Sequence, residues 1–337
     1  MRAVVFRKAG PVEVLELTNI PMPEPEEGEV RVRLLSMGLN RADALFREEK
    51  YFIKPQFNLV DQGGPPACRI GMEGAGIVDA VGQGAPWQVG DRVAIMPLRV
   101  NPVFQGTFAE YGLYRSQDLF PLPNGLSESL SGAIWMMYLT AWGGMVSEGK
   151  LIAGETVVIT AASSSVGIAS IQIAKLMGAR VVATSTSDDK KADLLQAGAD
   201  VVINMLTEDY VARMKDFSQG RGSDLVFDAV AGPGIRHLIQ GSRRGGRVVI
   251  HGMLDRRPMD VHAGVLMKRL LNLSGFTLDK VMDDPALREQ GLKFVGNGLT
   301  SGVLKPAIAG VFPLARFKEA FDLMESNAHV GKIILVP

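Results

Sequence analysis

The sequence predicts an α/β chain of two domains, a partly closed β-barrel and a doubly wound parallel sheet. Three observations carry this prediction. Residues 156–186, TVVITAASSSVGIASIQIAKLMGARVVATST, read as one βαβ unit. The residues before it form many short β-branched runs with glycines at their joints, and those after it alternate strand-like and helical runs. At 337 residues the chain is also long for a single hydrophobic core.

Within the βαβ unit, the run Val157–Thr160 is followed by a small-residue turn, Ala161–Gly167, and an apolar helix over Ile168–Met177. Gly178 stops the helix and Arg180–Ala183 forms the second strand. This spacing suits a right-handed crossover between parallel strands. In the first third, strands are expected at Met1–Phe6, Val12–Leu17, Glu29–Ser36, Gly71–Val81, Asp91–Met96 and Thr107–Tyr114. The character changes near Leu126. Ser127–Met145 reads as helix, and later strands fall at Val201–Asn204, Leu225–Val230, Arg247–Gly252 and Leu271–Leu278. Helices are expected at Thr207–Phe217, with Thr207 as N-cap, and at Asp284–Gly298. A return strand at Ala307–Val311, a helix within Leu314–Ser326 and a last strand at Gly331–Val336 rejoin the first domain. The expected division is therefore 1–126 completed by 306–337, with 127–305 inserted.

Lys plus Arg and Asp plus Glu number 36 each, which balances the formal charge and gives no support to a nucleic-acid or polybasic membrane surface. No apolar run approaches the length of a membrane span. The single cysteine, Cys68, excludes an intramolecular disulfide framework and a cysteine-rich zinc lobe. A soluble, cytoplasmic protein is expected.

The turn offers Ala162, Ser164 and Gly167 at the three positions of a G-x-G-x-x-G fingerprint. Small residues are needed there so that backbone can approach a pyrophosphate lying at the helix N-terminus. A plain βα turn capped by serines fits the same residues. An NAD-binding chain places a carboxylate at the end of the second strand for the ribose 2′-hydroxyl. This one has Thr184, Ser185, Thr186 and Ser187, then Asp188, Asp189, Lys190 and Lys191. Hydroxyls and an ammonium suit a 2′-phosphate, so the expected cofactor is NADPH. Ser187, Asp188 and Asp189 also read as a helix N-cap and first turn.

Gly38-Leu39-Asn40-Arg41-Ala42-Asp43, Gly71-Met72-Glu73-Gly74-Ala75-Gly76 and Val89-Gly90-Asp91-Arg92-Val93 are joined by Gly106–Tyr111, Leu139-Thr140-Ala141, the Ala161–Gly167 turn and Gly331-Lys332-Ile333. In this order they resemble the medium-chain dehydrogenase/reductase superfamily over essentially the whole length. Within it they resemble the zinc-independent quinone oxidoreductase and enoyl reductase branches. The resemblance implies a GroES-like catalytic domain, a Rossmann NADP-binding domain and a homodimer paired through the Leu271–Leu278 strand. Where zinc members carry Cys, His and Cys, this chain has Asn40, Met72 and Met136. Neither an amide nor a thioether is a usual zinc ligand, so no metal is expected.

Without a Lewis acid, the chemistry expected is hydride transfer to a quinone or to the β-carbon of a small, hydrophobic α,β-unsaturated carbonyl compound. Such a site needs donors for a developing enolate and an acid to quench it. The candidates are Asn40 as amide donor, Tyr51 as acid at the spacing that related reductases use, and Asp43, which better suits fixing the local loop. Asn40 equally reads as N-cap of a helix over Arg41–Arg47, and Tyr51 as a ring packed with Phe52 and Phe57. Arg41 reads as a solvated cation. The loop after Tyr51, with Phe52, Phe57, Leu59 and Gly63-Gly64-Pro65-Pro66, offers one wall of a substrate cleft or a surface excursion. Trp135, Met136, Met137 and Tyr138 read as core more readily than as cleft lining.

The resemblance further implies cofactor contacts at Thr140, at Ala162, Ser163, Ser164, Ser165, Val166 and Gly167, and at Thr184, Ser185 and Lys190. His251, Gly252 and Met253 would face the nicotinamide, with Phe276 and Lys332 nearby. Two other functions fit the same residues: an enoyl-thioester reductase and a non-catalytic NADPH-binding protein.

Overall fold

A computed structural model describes residues 1–57 and 66–337. Leu59 and Gly63-Gly64-Pro65, part of the expected cleft wall, lie outside the described residues. The chain divides into a unit of Met1–Met136 with Ile308–Pro337 and a second unit of Met137–Ala307.

The first unit is built on Glu29–Leu39, an eleven-residue strand that alternates apolar and polar side chains through its first half. It pairs antiparallel with Gly74–Val81, Tyr111–Arg115 and Lys332–Val336. Register shifts against Gly74–Val81 mark irregularities that bend the ladder. Arg92–Ile95 and Leu119–Pro121 extend the sheet on one side, and Ile308–Pro313 on the other. A smaller sheet joins Glu16–Asn19, Arg2–Phe6 and Cys68–Arg69. The expected strand Val12–Leu17 is instead a 3-10 turn, Val12–Val14, with the strand beginning at Glu16. The helix Arg41–Arg47 carries the wholly buried Arg47, which bonds Gly10 O and Glu325 and lies over the Phe321 ring.

The second unit is a parallel sheet in the order Val201–Asn204, Arg180–Ser185, Thr156–Ile159, Ser223–Asp228, Ser242–Ile250, Asn272–Gly275. Every residue of Thr156–Ile159 is buried, as a central strand covered on both faces requires. The direction of strand addition reverses between Thr156–Ile159 and Ser223–Asp228, and ligands of such sheets bind outside the carboxyl ends at that reversal. One helix start differs from expectation. Asp209, not Thr207, caps Tyr210–Phe217, because its carboxylate reaches the Ala212 N–H at 3.1 Å. The expected single helix Ser127–Met145 is three pieces: Glu128–Ser131, Trp135–Trp142 and a π-helical Gly143–Glu148. Trp135, Met136, Met137 and Tyr138 are core residues. Among the described residues no helix is long and apolar enough to cross a membrane.

Candidate active site

Strand register assembles the polar centre of the first unit. Ile333 lies opposite Leu39 and Gly74 opposite Met37, which brings Lys332, Asn40 and Glu73 together. The Lys332 ammonium donates to Asn40 Oδ1 at 2.6 Å and forms an ion pair with Glu73 Oε1. These side chains are 0% and 1% exposed for Lys332 and Glu73. Glu73 Oε2 accepts the Met136 N–H at 2.9 Å. Gly38 makes room for the pair, since a Cβ there would overlap Glu73 Oε1 and stand 2.7 Å from Lys332 Cε.

This network changes the part available to Asn40. Its amide donates to Gly38 O and to Glu73 Oε1, each at 3.1 Å, so both N–H groups have internal acceptors. The expected amide donor for an enolate is therefore committed elsewhere, because the ammonium on Oδ1 fixes which way the amide faces. Asn40 does stand at the N-cap of Arg41–Arg47, but through its backbone. Its carbonyl accepts the Asp43 N–H at 3.0 Å, and Asp43 Oδ2 accepts the Asn40 N–H at 2.8 Å. Asp43 is buried, with no hydrogen-bond partner for Oδ1 among the described residues. Burial pushes its carboxyl up to about 7, against the lowering effect of the Asn40 N–H and the Lys332 charge. Lys332, expected as a cofactor contact, is an interior residue instead.

Tyr51 follows the same helix, and its N–H donates to Leu45 O at 3.1 Å. Its ring tilts against Phe52 at 5.4 Å, and Phe52 is 77% exposed. Phe57 packs edge-on against Phe6 at 5.5 Å. Arg41 is not a solvated cation: it donates to Met324 O at 2.9 Å and Asn327 Oδ1 at 2.6 Å.

The second unit presents the βα turn. Ser164 is the N-cap of Ser165–Leu176, its Oγ accepting the Gly167 N–H at 3.0 Å. The N–H groups of Ser165 and Val166 precede any intrahelical acceptor and so face out at the positive end of the helix. Gly167 is required by close packing, since a Cβ would lie 2.6 Å from Ala162 Cα. Lys190 Nζ donates to Ser163 Oγ at 3.2 Å, which holds an ammonium beside the turn, and burial lowers its pKa. Thr184 is buried, and its carbonyl accepts the Ala162 N–H at 3.1 Å. The Ser185 hydroxyl bonds the N–H of Ser187 at 3.1 Å and its C=O at 3.0 Å. The Ser185 hydroxyl thus serves the fold and Thr184 is buried, leaving Ser163 and Lys190 as the polar pair at the strand end.

Thr140 is half-buried on Trp135–Trp142. His251 stacks on Phe227 at 3.8 Å and 16°, and desolvation pushes its imidazole down to about 3, so it is neutral at physiological pH. A Cβ on Gly252 would stand 2.6 Å from Ala229 O, while Met253 is exposed. Phe276 is a core residue rather than a cofactor contact, packed where a Cβ on Gly143 would meet its Cζ at 2.7 Å.

Two polar clusters were not singled out from the sequence. One is Glu73 with Lys332, although Glu73 stands inside a quoted motif. The other joins the two strand ends at the sheet reversal. Thr160 Oγ1 donates to Asp228 Oδ1 at 2.6 Å and accepts the Ala229 N–H at 2.8 Å. Asp228 also takes the N–H groups of Val230 at 3.0 Å and Ala231 at 2.9 Å, which holds Ala231 at φ +59°.

Comparison with known proteins matches residues 26–124 to the alcohol dehydrogenase GroES-like domain and residues 165–292 to the zinc-binding dehydrogenase family. A solved NAD-dependent alcohol dehydrogenase is 32% identical with a TM-score of 0.85, each chain covered over 100% of its length. The chain belongs to the medium-chain dehydrogenase/reductase superfamily. It is an oxidoreductase of that superfamily's quinone oxidoreductase-like branch. The human quinone oxidoreductase is 28% identical over 340 residues, covering 100% of this chain and 98% of that protein. The Escherichia coli quinone oxidoreductase, solved as a complex with NADPH, is 25% identical with a TM-score of 0.87 and complete coverage of both chains.

The residues present in this superfamily member fit a dinucleotide and do not fit zinc. For the dinucleotide, Gly167 packs directly on the Ala162 backbone, and the N–H groups of Ser165 and Val166 stand ahead of any intrahelical acceptor at the helix N-terminus. At the superfamily's zinc-ligand positions stand two buried thioethers, Met72 and Met136, and an amide already holding an ammonium. Among the described residues no group of three or more His, Cys, Asp or Glu side chains converges on a metal position.

Proposed function

We propose that this chain catalyses zinc-independent hydride transfer from NADPH to a quinone or a small, hydrophobic α,β-unsaturated carbonyl compound. The observation that carries the reading is the Lys190–Ser163 pair beside a glycine-closed turn, where no strand-end carboxylate opposes a 2′-phosphate. The Ser163–Gly167 backbone would take the pyrophosphate at the helix N-terminus, and Lys190 the 2′-phosphate. When bound, the cofactor supplies the hydride. The protein holds Asn40 in one orientation and keeps His251 neutral. Tyr51 remains the proposed proton donor, with Asp43 fixing the loop that follows Asn40. The relatives with quinone oxidoreductase names, among them the Escherichia coli protein solved with NADPH, support the same substrate class and cofactor. We further assign homodimerisation to the sheet edge at Asn272–Gly275, to be checked by light scattering.

The test is NADPH oxidation against a quinone, a simple enone, an enoyl thioester and a saturated aldehyde, with NADH beside it and a chelator present. Turnover of the quinone or enone with NADPH, insensitive to the chelator, is expected. Activity on the aldehyde alone would overturn the conjugate-reduction chemistry. Activity on the thioester alone would transfer the function to enoyl-thioester reduction. NADPH binding without turnover of any substrate would leave the non-catalytic reading.

A further inference from the structure

With the 2′-phosphate at Lys190, the adenosine half of the cofactor lies by the carboxyl end of Arg180–Ser185. A dinucleotide crosses the reversal of strand order, so its nicotinamide half extends over the ends of Ser223–Asp228 and Ser242–Ile250. One buried side chain organises those two ends. Asp228 is 0% exposed and accepts on both oxygens. Oδ1 takes the Thr160 hydroxyl at 2.6 Å and the Val230 N–H at 3.0 Å, and Oδ2 takes the Ala231 N–H at 2.9 Å. Thr160 Oγ1 accepts the Ala229 N–H at 2.8 Å, so three successive N–H groups are spent on this pair. The carbonyls of the same stretch are latched to the neighbouring strand end. Asp228 O accepts the His251 N–H at 2.8 Å, Ala229 O that of Leu254 at 3.2 Å and Val230 O that of Asp255 at 2.9 Å.

Ala231 stands at φ +59°, a conformation costly for a residue with a Cβ, and the inward hydrogen bonds hold it there. Thr160 directly precedes Ala161, at φ +45°, which opens the βα turn. A single hydroxyl–carboxylate contact therefore ties the turn to the loop over residues 229–231. With its polar backbone groups spent in this way, that loop has the small apolar side chains of Ala229, Val230 and Ala231 to set against an uncharged ring. We propose that Asp228, together with Thr160, is a positioning residue for the nicotinamide, fixing residues 229–231 as the floor on which the ring lies. The inference rests on the NADPH reading above.

The test is titration calorimetry on the full chain with NADPH and with 2′-phospho-ADP-ribose, which lacks the nicotinamide. Asp228→Asn replaces one acceptor oxygen by a donor that faces a loop N–H. It should lower NADPH affinity about tenfold and change 2′-phospho-ADP-ribose by less than about twofold. Thr160→Val should repeat that pattern, and Thr160→Ser, which keeps the hydroxyl, should recover most of the loss. Equal losses for the two ligands would make the pair a support of the whole fold and overturn the proposal. Unchanged NADPH affinity in both Asp228→Asn and Thr160→Val would overturn it as well. If Asp228→Asn does not fold, the two Thr160 variants decide; failure of Thr160→Val to fold would again reduce the pair to a folding element. Wild-type protein that binds neither ligand would remove the NADPH reading itself, whereas failure of this inference alone shows only in the variants.

Discussion

Replacing Lys190 with alanine removes one positive charge from the carboxyl end of Arg180–Ser185 without touching the sheet. Its Nζ stands 3.2 Å from Ser163 Oγ, and burial already lowers its pKa, so a phosphate here meets a partly desolvated ammonium. At about 4 Å and an effective dielectric near 20, one charge pair contributes about 4 kcal/mol. Partial exposure and salt screening reduce this to roughly 1–2 kcal/mol. Lys190→Ala should therefore weaken NADPH binding about five- to thirtyfold, while NADH, lacking the 2′-phosphate, should change by less than about twofold. Isothermal titration of both cofactors, repeated at higher salt, measures the difference directly. The NADPH loss should shrink as salt rises. Equal losses for the two cofactors, or none for NADPH, would refute the placement of the 2′-phosphate beside Lys190.

Gly167→Ala should lower stability by about 1–3 kcal/mol and reduce NADPH affinity with it, because the new methyl meets Ala162 backbone at 2.6 Å; unchanged melting and affinity would show that the turn relaxes freely. Asp43 governs a pH effect. Its folded-state pKa of about 7 lies above the ordinary carboxyl value of 3.8, so the folded protein binds this proton more tightly than the unfolded chain. The stability linked to it is whole below pH 4, falls through the interval to 7 and is lost above it, a span of roughly 4 kcal/mol. Asp43→Asn keeps an acceptor for the Asn40 N–H and should flatten that decline in urea unfolding; an unchanged slope between pH 5 and 8 would remove Asp43 as its source. Tyr51→Phe should lower kcat on enones at least tenfold with little change in NADPH affinity, and full turnover would return the proton to solvent.

The parallel sheet was legible because its signals are local. β-branched runs, a small-residue turn and glycine-stopped helices recur at crossover spacing, and handedness leaves few ways to join them. The turn itself was equally readable, since Ser164 caps the helix that follows it within three residues. Thr207 misled because Asp209 competes for the same helix start with a stronger, charged acceptor. The long helix expected at Ser127–Met145 broke up because Gly132 and the glycine pair Gly143–Gly144 admit close packing that a regular helix does not use.

By itself the sequence determined the order of most elements and the dinucleotide-type turn, since each depends on residue identity and short spacing. Tertiary structure alone decided which polar atoms remain available for a ligand. Ser185 reads as a phosphate contact until its hydroxyl is found on Ser187, and Phe276 as a cofactor neighbour until it is found in the core. Asn40 reads as a free amide donor until Lys332, 292 positions away, takes its oxygen, and Glu73, 33 positions away, takes an N–H. Those commitments follow from the register of strands far apart in the chain, and a one-residue slip would turn each side chain to the opposite face.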